Sequence, residues 1–198
     1  MSAPPAPPII LASTSPQRRA ILDQLGVPFE VVEPRYVEEH DADGARAEEL
    51  VTGNARGKAR SVASGAGDRP VLGVDTTVVC GGRTYGKPAT AEEAALMLEA
   101  LAGRTHEVLS GLCLVTPGWE VVERDVTSVT FRPLTARDIA AYVASGEWES
   151  RAGAYAIQGL GAALVERIEG DYLNVVGLPA ALLVRLLSER FAGVYGFG

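Results

Sequence analysis

The sequence predicts one α/β domain with a mixed central sheet flanked by helices. Three observations lead there. Short apolar runs alternate with helical patterns from Ile9 to Phe191, the order found where helices pack against a sheet. Two long strand-like runs, 105–116 and 119–131, are separated only by Pro117–Gly118, which predicts an antiparallel hairpin and so a mixed sheet. The chain has 198 residues, 47% hydrophobic and 22% charged, enough for one core and too short for two independent domains.

The elements follow in order. Residues 1–8, MSAPPAPP, are small and proline-rich and predict a flexible arm; the domain proper is expected over 9–191, with a tail at 192–198. IILAS, residues 9–13, reads as a buried strand. Ser15 before Pro16 then suits a helix N-cap with proline in the first turn, Ile21, Leu22 and Leu25 share a face, and Gly26 ends the helix before a second strand in PFEVV. Residues 46–63 predict a helix weakened by Gly53 and Gly57. PVLGVDTTVVC, residues 70–80, reads as a central strand with Asp75 set inside it, and 81–86 as a Gly-rich turn. Thr90 and Glu93 form a capping box for a helix that turns Ala94, Met97, Leu98 and Leu101 inward. After the hairpin, Thr135 and Asp138 cap a helix that ends near Gly146; a strand is expected at 162–168 and a last apolar helix at 179–191.

Composition excludes several function classes. Eighteen Lys and Arg against 25 Asp and Glu leave a net charge of −7, which repels nucleic-acid polymers. Cys80 and Cys113 stand alone, so neither a disulfide framework nor a cysteine zinc site is expected, and a reducing cytoplasm fits. Neither an export signal nor an apolar run of membrane-spanning length is legible. With only His40 and His106 present, any metal should be oxygen-bound.

Four segments carry candidate chemistry. In LASTSPQRR, residues 11–19, a strand ends in hydroxyls and a helix opens with Arg18 and Arg19, so amides, helix dipole and guanidinium groups converge as for a phosphate chain. The competing reading is an ordinary N-cap followed by surface arginines. GGRTYGKP, residues 81–88, has the glycine spacing of a P-loop, but Pro88 replaces the magnesium-binding hydroxyl and the helix starts only after Thr90, which excludes a Walker-type NTPase. Lys87 remains a candidate phosphate ligand or a solvated lysine. Asp75 in a buried strand calls for a partner or a metal, and could accept a proton from water. Glu38 and Glu39, a Glu pair in an acidic loop, and Lys58 on its helix read more simply as solvated charges. In AGAYAIQGLGA, residues 152–162, small residues surround Tyr155 and Gln158, whose amide could read a base edge; a plain connector is the alternative.

LASTSPQRR, VLGVDTTV, YGKP, DVTSVTFRPLT, AGAYAIQG and NVVGLP occur in the order and spacing of the Maf-like nucleotide pyrophosphatases, and the chain resembles that family from Ile9 to about Leu187. The resemblance implies a Maf/ITPase-like fold with a deep nucleotide-binding cleft, a cytoplasmic location, the homodimers frequent in that family, and hydrolysis of nucleoside triphosphates to monophosphate and pyrophosphate with Mg²⁺ or Mn²⁺. It also implies a role in nucleotide-pool cleansing and a historical link to septum formation. By position, Ser13, Arg18, Arg19, Lys58 and Lys87 would hold phosphates. Asp75 would accept the proton from water attacking the α-phosphorus, and Glu38 would join Asp75 in holding the metal. Asp75–Thr76 and Gln158 resemble the branch acting on dTTP and UTP; Gln17 departs from the Arg of that branch, and Val37 stands where an acid often precedes the Glu. The alternatives are the same reaction on 7-methylguanosine triphosphate or another modified nucleotide, or a non-catalytic nucleotide-binding regulator of cell division.

Overall fold

In a computed structural model, residues 6–40 and 43–197 are described; 1–5 of the predicted arm and 198 of the predicted tail lie outside them. The sheet is mixed, as expected. Strands β1 (Ile9–Leu11), β2 (Phe29–Val31), β3 (Val71–Cys80), β4 (Arg83–Tyr85), β5 (Thr105–Thr116), β6 (Trp119–Phe131) and β7 (Val165–Glu169) form it in the order β2-β1-β3-β5-β6-β7, with β4 also paired to β3. β1 is parallel to β2 and β3, whereas every other pairing is antiparallel. The expected hairpin keeps one register from Thr105–Thr130 to Thr116–Trp119.

The helices are α1 (Pro16–Gln24), α2 (Ala47–Ala63), α3 (Ala91–Leu101), α4 (Ala136–Ala144), α5 (Tyr172–Val176) and α6 (Ala180–Phe191). On one face α1 and α6 bury Ile21, Leu22, Leu183 and Leu186 against Ile9, Leu11, Leu72 and Val74. Further along, α3 and α4 pack Leu98, Leu101 and Tyr142 onto Val78, Val108, Val129 and Phe131, with Met97 partly buried beside them. On the opposite face α2 lies alone, with Ala55 and Ala59 against Ile10, Val71 and Cys113, and Val51 against Leu109.

Glycine lets α2 sit almost on the sheet. A β-carbon on Gly73 would stand 2.1 Å from the Ala55 carbonyl oxygen, and one on Gly111 2.2 Å from that of Val51. Gly57 serves the outer side of α2, where the Tyr36 ring fills the space of its absent side chain.

Local chemistry explains most ends. Ser15 accepts the Arg18 amide at 3.5 Å, and Pro16 opens α1. Thr135 and Asp138 form a full capping box, and Arg132 ties to Asp138 at 3.0 Å. At α3 the box is offset: Thr90 accepts the Glu93 amide, but Glu93 receives the amide of Ala89 rather than that of Thr90. Three further features differ from the sequence pattern. The turn at 81–86 contains β4, formed as Gly81 and Gly82, both with positive φ, fold the chain back on β3. The strand expected at 162–168 runs from Val165 to Glu169, because Gly159–Leu164 winds into 3-10 turns first. The five-residue α5 was not predicted; Asp171 caps it and Gly177 ends it. At the termini, the buried Tyr195 donates its hydroxyl to the Pro7 carbonyl at 3.0 Å.

The edge of β3 positions the site. β1 pairs with β3 only at Val71 and Leu72, and β4 only from Val78 to Cys80, so among the described residues no strand covers that edge between 73 and 77. Asp75 lies at the middle of this gap.

The α2 packing makes opposite predictions for two glycines. Gly73→Ala is expected to cost at least about 2 kcal/mol through overpacking, whereas Gly53→Ala, in open space on the same helix, should gain up to about 1 kcal/mol. Urea unfolding of both variants measures the difference.

Candidate active site

A cavity of about 330 Å³ opens over the uncovered edge of β3. It draws walls from the β1–α1 connection (Ala12 to Arg18), the loop before α2 (Pro34, Glu38), α2 (Lys58), β3 (Asp75, Thr76), the turn after β4 (Lys87), residues 150–158, and the end of α5.

A buried ion pair makes the floor. The Lys58 ammonium lies 2.6 Å from Asp75 Oδ1 and 2.8 Å from Glu38 Oε1, and donates weakly to the Val74 carbonyl at 3.4 Å. Asn54, one helical turn earlier on α2, donates to Asp75 Oδ2 at 2.9 Å and to the Glu39 carbonyl at 3.0 Å. Its amide oxygen accepts the Glu39 amide at 2.9 Å and the Tyr36 hydroxyl at 3.3 Å, so all its hydrogen-bonding capacity is used. This clamp fixes the irregular loop that carries Glu38. Asp75 and Lys58 are almost fully buried, and Glu38 is reached by solvent. Burial pushes the Glu38 carboxyl up, but the Lys58 hydrogen bond and the charges of Lys58, Lys87 and Arg18 outweigh it and hold it below its ordinary value.

Arg18 spans the opposite wall. Its Nε donates to the Gly177 carbonyl at 2.9 Å, Nη1 to Ser13 Oγ at 3.0 Å and Nη2 to Thr76 Oγ1 at 3.4 Å, and Thr76 in turn shares a hydrogen bond with Ser110 at 2.9 Å. A guanidinium has five N–H donors, so two remain for a ligand. Burial pulls its pKa down, against the opposing charges of Asp75 and Glu38. Ser13 Oγ accepts from Arg18 and from the Ser15 amide, leaving its own proton to donate.

The third wall is 150–158. Gly153 donates to the Gly86 carbonyl at 3.0 Å, and Glu147 accepts the amides of Leu160 and Gly161 at 3.0 and 3.2 Å. Behind it the buried His106 and Tyr155 share a hydrogen bond at 2.8 Å.

The geometry agrees with what the comparisons find. Residues 8–190 match the family described as Maf-like protein. The chain belongs to that family. Its relatives include proteins named dTTP/UTP pyrophosphatase from Deinococcus radiodurans, 46% identical with both chains covered completely, and from Moorella thermoacetica, 49% identical over 95% of this chain and 97% of that one. A third, of the same name, from Gloeobacter violaceus, is 50% identical over 91% and 95%.

In this Maf-like chain, Ser13, Gln17, Arg18, Glu38, Lys58, Asp75, Thr76, Lys87 and Gln158 all line the one cavity. Arg19 does not; it is exposed and donates to the Thr14 carbonyl at 3.1 Å, because consecutive helical residues point about 100° apart and Arg18 takes the inward direction. Gln17 receives the Ser15 hydroxyl at 3.1 Å on the cavity rim. Val37 is 89% exposed and lies outside the lining. Sequence reasoning missed Asn54, an interior helix position without a periodic signal. It also missed Arg151, whose only local sign was its place beside the Gly-rich segment.

Burial lowers the His106 pKa from 6.5 to about 4. The unfolded chain therefore binds this proton first as pH falls, and the stability contributed by the neutral ring is lost between pH 6.5 and about 4. Urea unfolding should show a smaller loss of stability from pH 7 to pH 5 in His106→Gln than in the unsubstituted protein.

Proposed function

We propose that this Maf-like chain hydrolyses nucleoside triphosphates, dTTP and UTP foremost, to the nucleoside monophosphate and inorganic pyrophosphate. The observation that carries this reading is the Asp75–Lys58–Glu38 cluster buried beneath a cleft rimmed by cations. Its substrate range rests on the relatives' name and on Thr76 and Gln158 in the lining.

Phosphates bind where the chain offers donors. Ser13, the spare N–H groups of Arg18 and the first turn of α1 face one wall, and Lys87 stands exposed at the rim. Asp75 is the proton acceptor for the attacking water. Two of its lone-pair sites are taken by Lys58 and Asn54; the remaining ones are available to a water, while the two donors fix the carboxylate's direction. Lys58 and Arg18 are placed to offset charge that develops on the phosphates as the bond to the pyrophosphate breaks. Gln158 presents both a donor and an acceptor, suiting the imide edge of thymine or uracil.

A divalent cation fits the donor set. Glu38 and Asp75 are the two carboxylates that would hold it, with the oxygen lone pairs that Lys58 and Asn54 leave unused, and Mg²⁺ typically binds through one or two carboxylates with waters and substrate phosphates. Bound there, the metal would supply charge neutralisation for the phosphates.

Pyrophosphate release from a panel of canonical and modified nucleoside triphosphates, with Mg²⁺ or Mn²⁺, tests the proposal. Selective release from dTTP and UTP is expected, and Asp75→Asn should lower kcat by about 10²–10⁴-fold with the fold retained. Full activity in that variant would remove Asp75 as the base. Release mainly from a methylated nucleotide would overturn the substrate range, and nucleotide binding without release would favour a regulator.

A further inference from the structure

Arg151 lines the cleft, yet among the described residues its guanidinium is held by no side-chain hydrogen bond or ion pair. The residue is half-buried, and its Nε is buried without a hydrogen bond. Arg18 and Lys58, by contrast, are each fixed by several groups. A guanidinium donor removed from water and left unpaired is costly unless a ligand completes it.

The backbone around Arg151 is held in place. Arg151 donates its amide to Trp148 and accepts that of Ala154, both at 3.1 Å, while Ser150 and Ala154 flank it at φ 61° and 60°. Such left-handed non-glycine residues persist only where the surroundings enforce them. The bond from Gly153 to the Gly86 carbonyl ties this segment to the turn that carries Lys87, so Arg151 and Lys87 belong to one rim. Among the described residues neither cation is held in an ion pair, although Lys87 acts on Glu38 through its charge, and together they suit a ligand of high negative charge. The cleft lining as a whole contains four cations, Arg18, Lys58, Lys87 and Arg151, against two carboxylates, Glu38 and Asp75, in a chain of net charge −7.

We propose that Arg151, together with Lys87, binds the β- and γ-phosphates of the substrate, the part that leaves as pyrophosphate. This rests on the activity proposed above. The planar fork of Arg151 matches two phosphate oxygens, whereas neutral thymine or uracil offers it no charge and is met by Gln158 seven residues on.

Calorimetric titration with inorganic pyrophosphate in Mg²⁺, and separately with thymidine monophosphate, tests Arg151 without depending on turnover. Arg151→Ala should weaken pyrophosphate binding about tenfold or more and leave the monophosphate within about twofold; Arg151→Lys, which keeps the charge and loses the fork, should fall between. Unchanged pyrophosphate affinity would overturn the proposal, as would a loss confined to the monophosphate, an equal loss of both, or no pyrophosphate binding by the unsubstituted protein. If that protein binds pyrophosphate but releases none from any triphosphate, the activity reading fails while the titration still decides the role of Arg151.

Discussion

The site depends on one buried ammonium. Lys58 lies between Asp75 and Glu38 at less than 3 Å from each, so the two buried charges, Lys58 and Asp75, become mutually tolerable with the half-exposed Glu38 beside them. Removing one member of such a set typically costs about 3–5 kcal/mol, because the others stay buried and unmatched. The arrangement requires α2 to run almost in contact with β3, and Gly73 and Gly111 permit it. A packing feature without polar chemistry thus decides where two charged side chains, 17 positions apart, can meet.

The cleft follows from how the sheet is assembled. Parallel β1 leaves β3 after two pairs, antiparallel β4 joins it further along, and the gap between them exposes the strand edge that carries Asp75. Because side chains alternate across a strand, Asp75 meets α2 on one face while Thr76 meets Arg18 on the other. One dipeptide therefore connects the Lys58–Asp75 pair with the Arg18 wall of the cleft. The excess of cations over carboxylates in the lining reverses locally the acidic character of the whole chain.

Much of this was legible in the sequence, and the remainder failed for definable reasons. Ser15–Pro16, Thr135–Asp138 and the Pro117–Gly118 hairpin carry their signals within a few residues, so they read correctly. β4 and α5 are too short to establish a period, and the apolar end of the 3-10 turns, Ala162–Leu164, runs without a break into β7. For the site, five of the six separated motifs contribute residues to the lining, and DVTSVTFRPLT contributes none. Arg19 stands next to Arg18 in sequence but points out of the lining, because consecutive helical residues are turned about 100° apart. Asn54 and Arg151 were invisible for the opposite reason. Their roles come from tertiary contact, in the first case with a loop 15 residues away and with Asp75, in the second with a cavity whose other walls come from distant segments.

The central claim is that Asp75 directs water at the α-phosphorus of a bound triphosphate. Its most direct test is a single turnover of dTTP in ¹⁸O-water, with mass analysis of both products. The geometry predicts one ¹⁸O in the thymidine monophosphate and none in the pyrophosphate. Label in the pyrophosphate, or release of single phosphates, would contradict it.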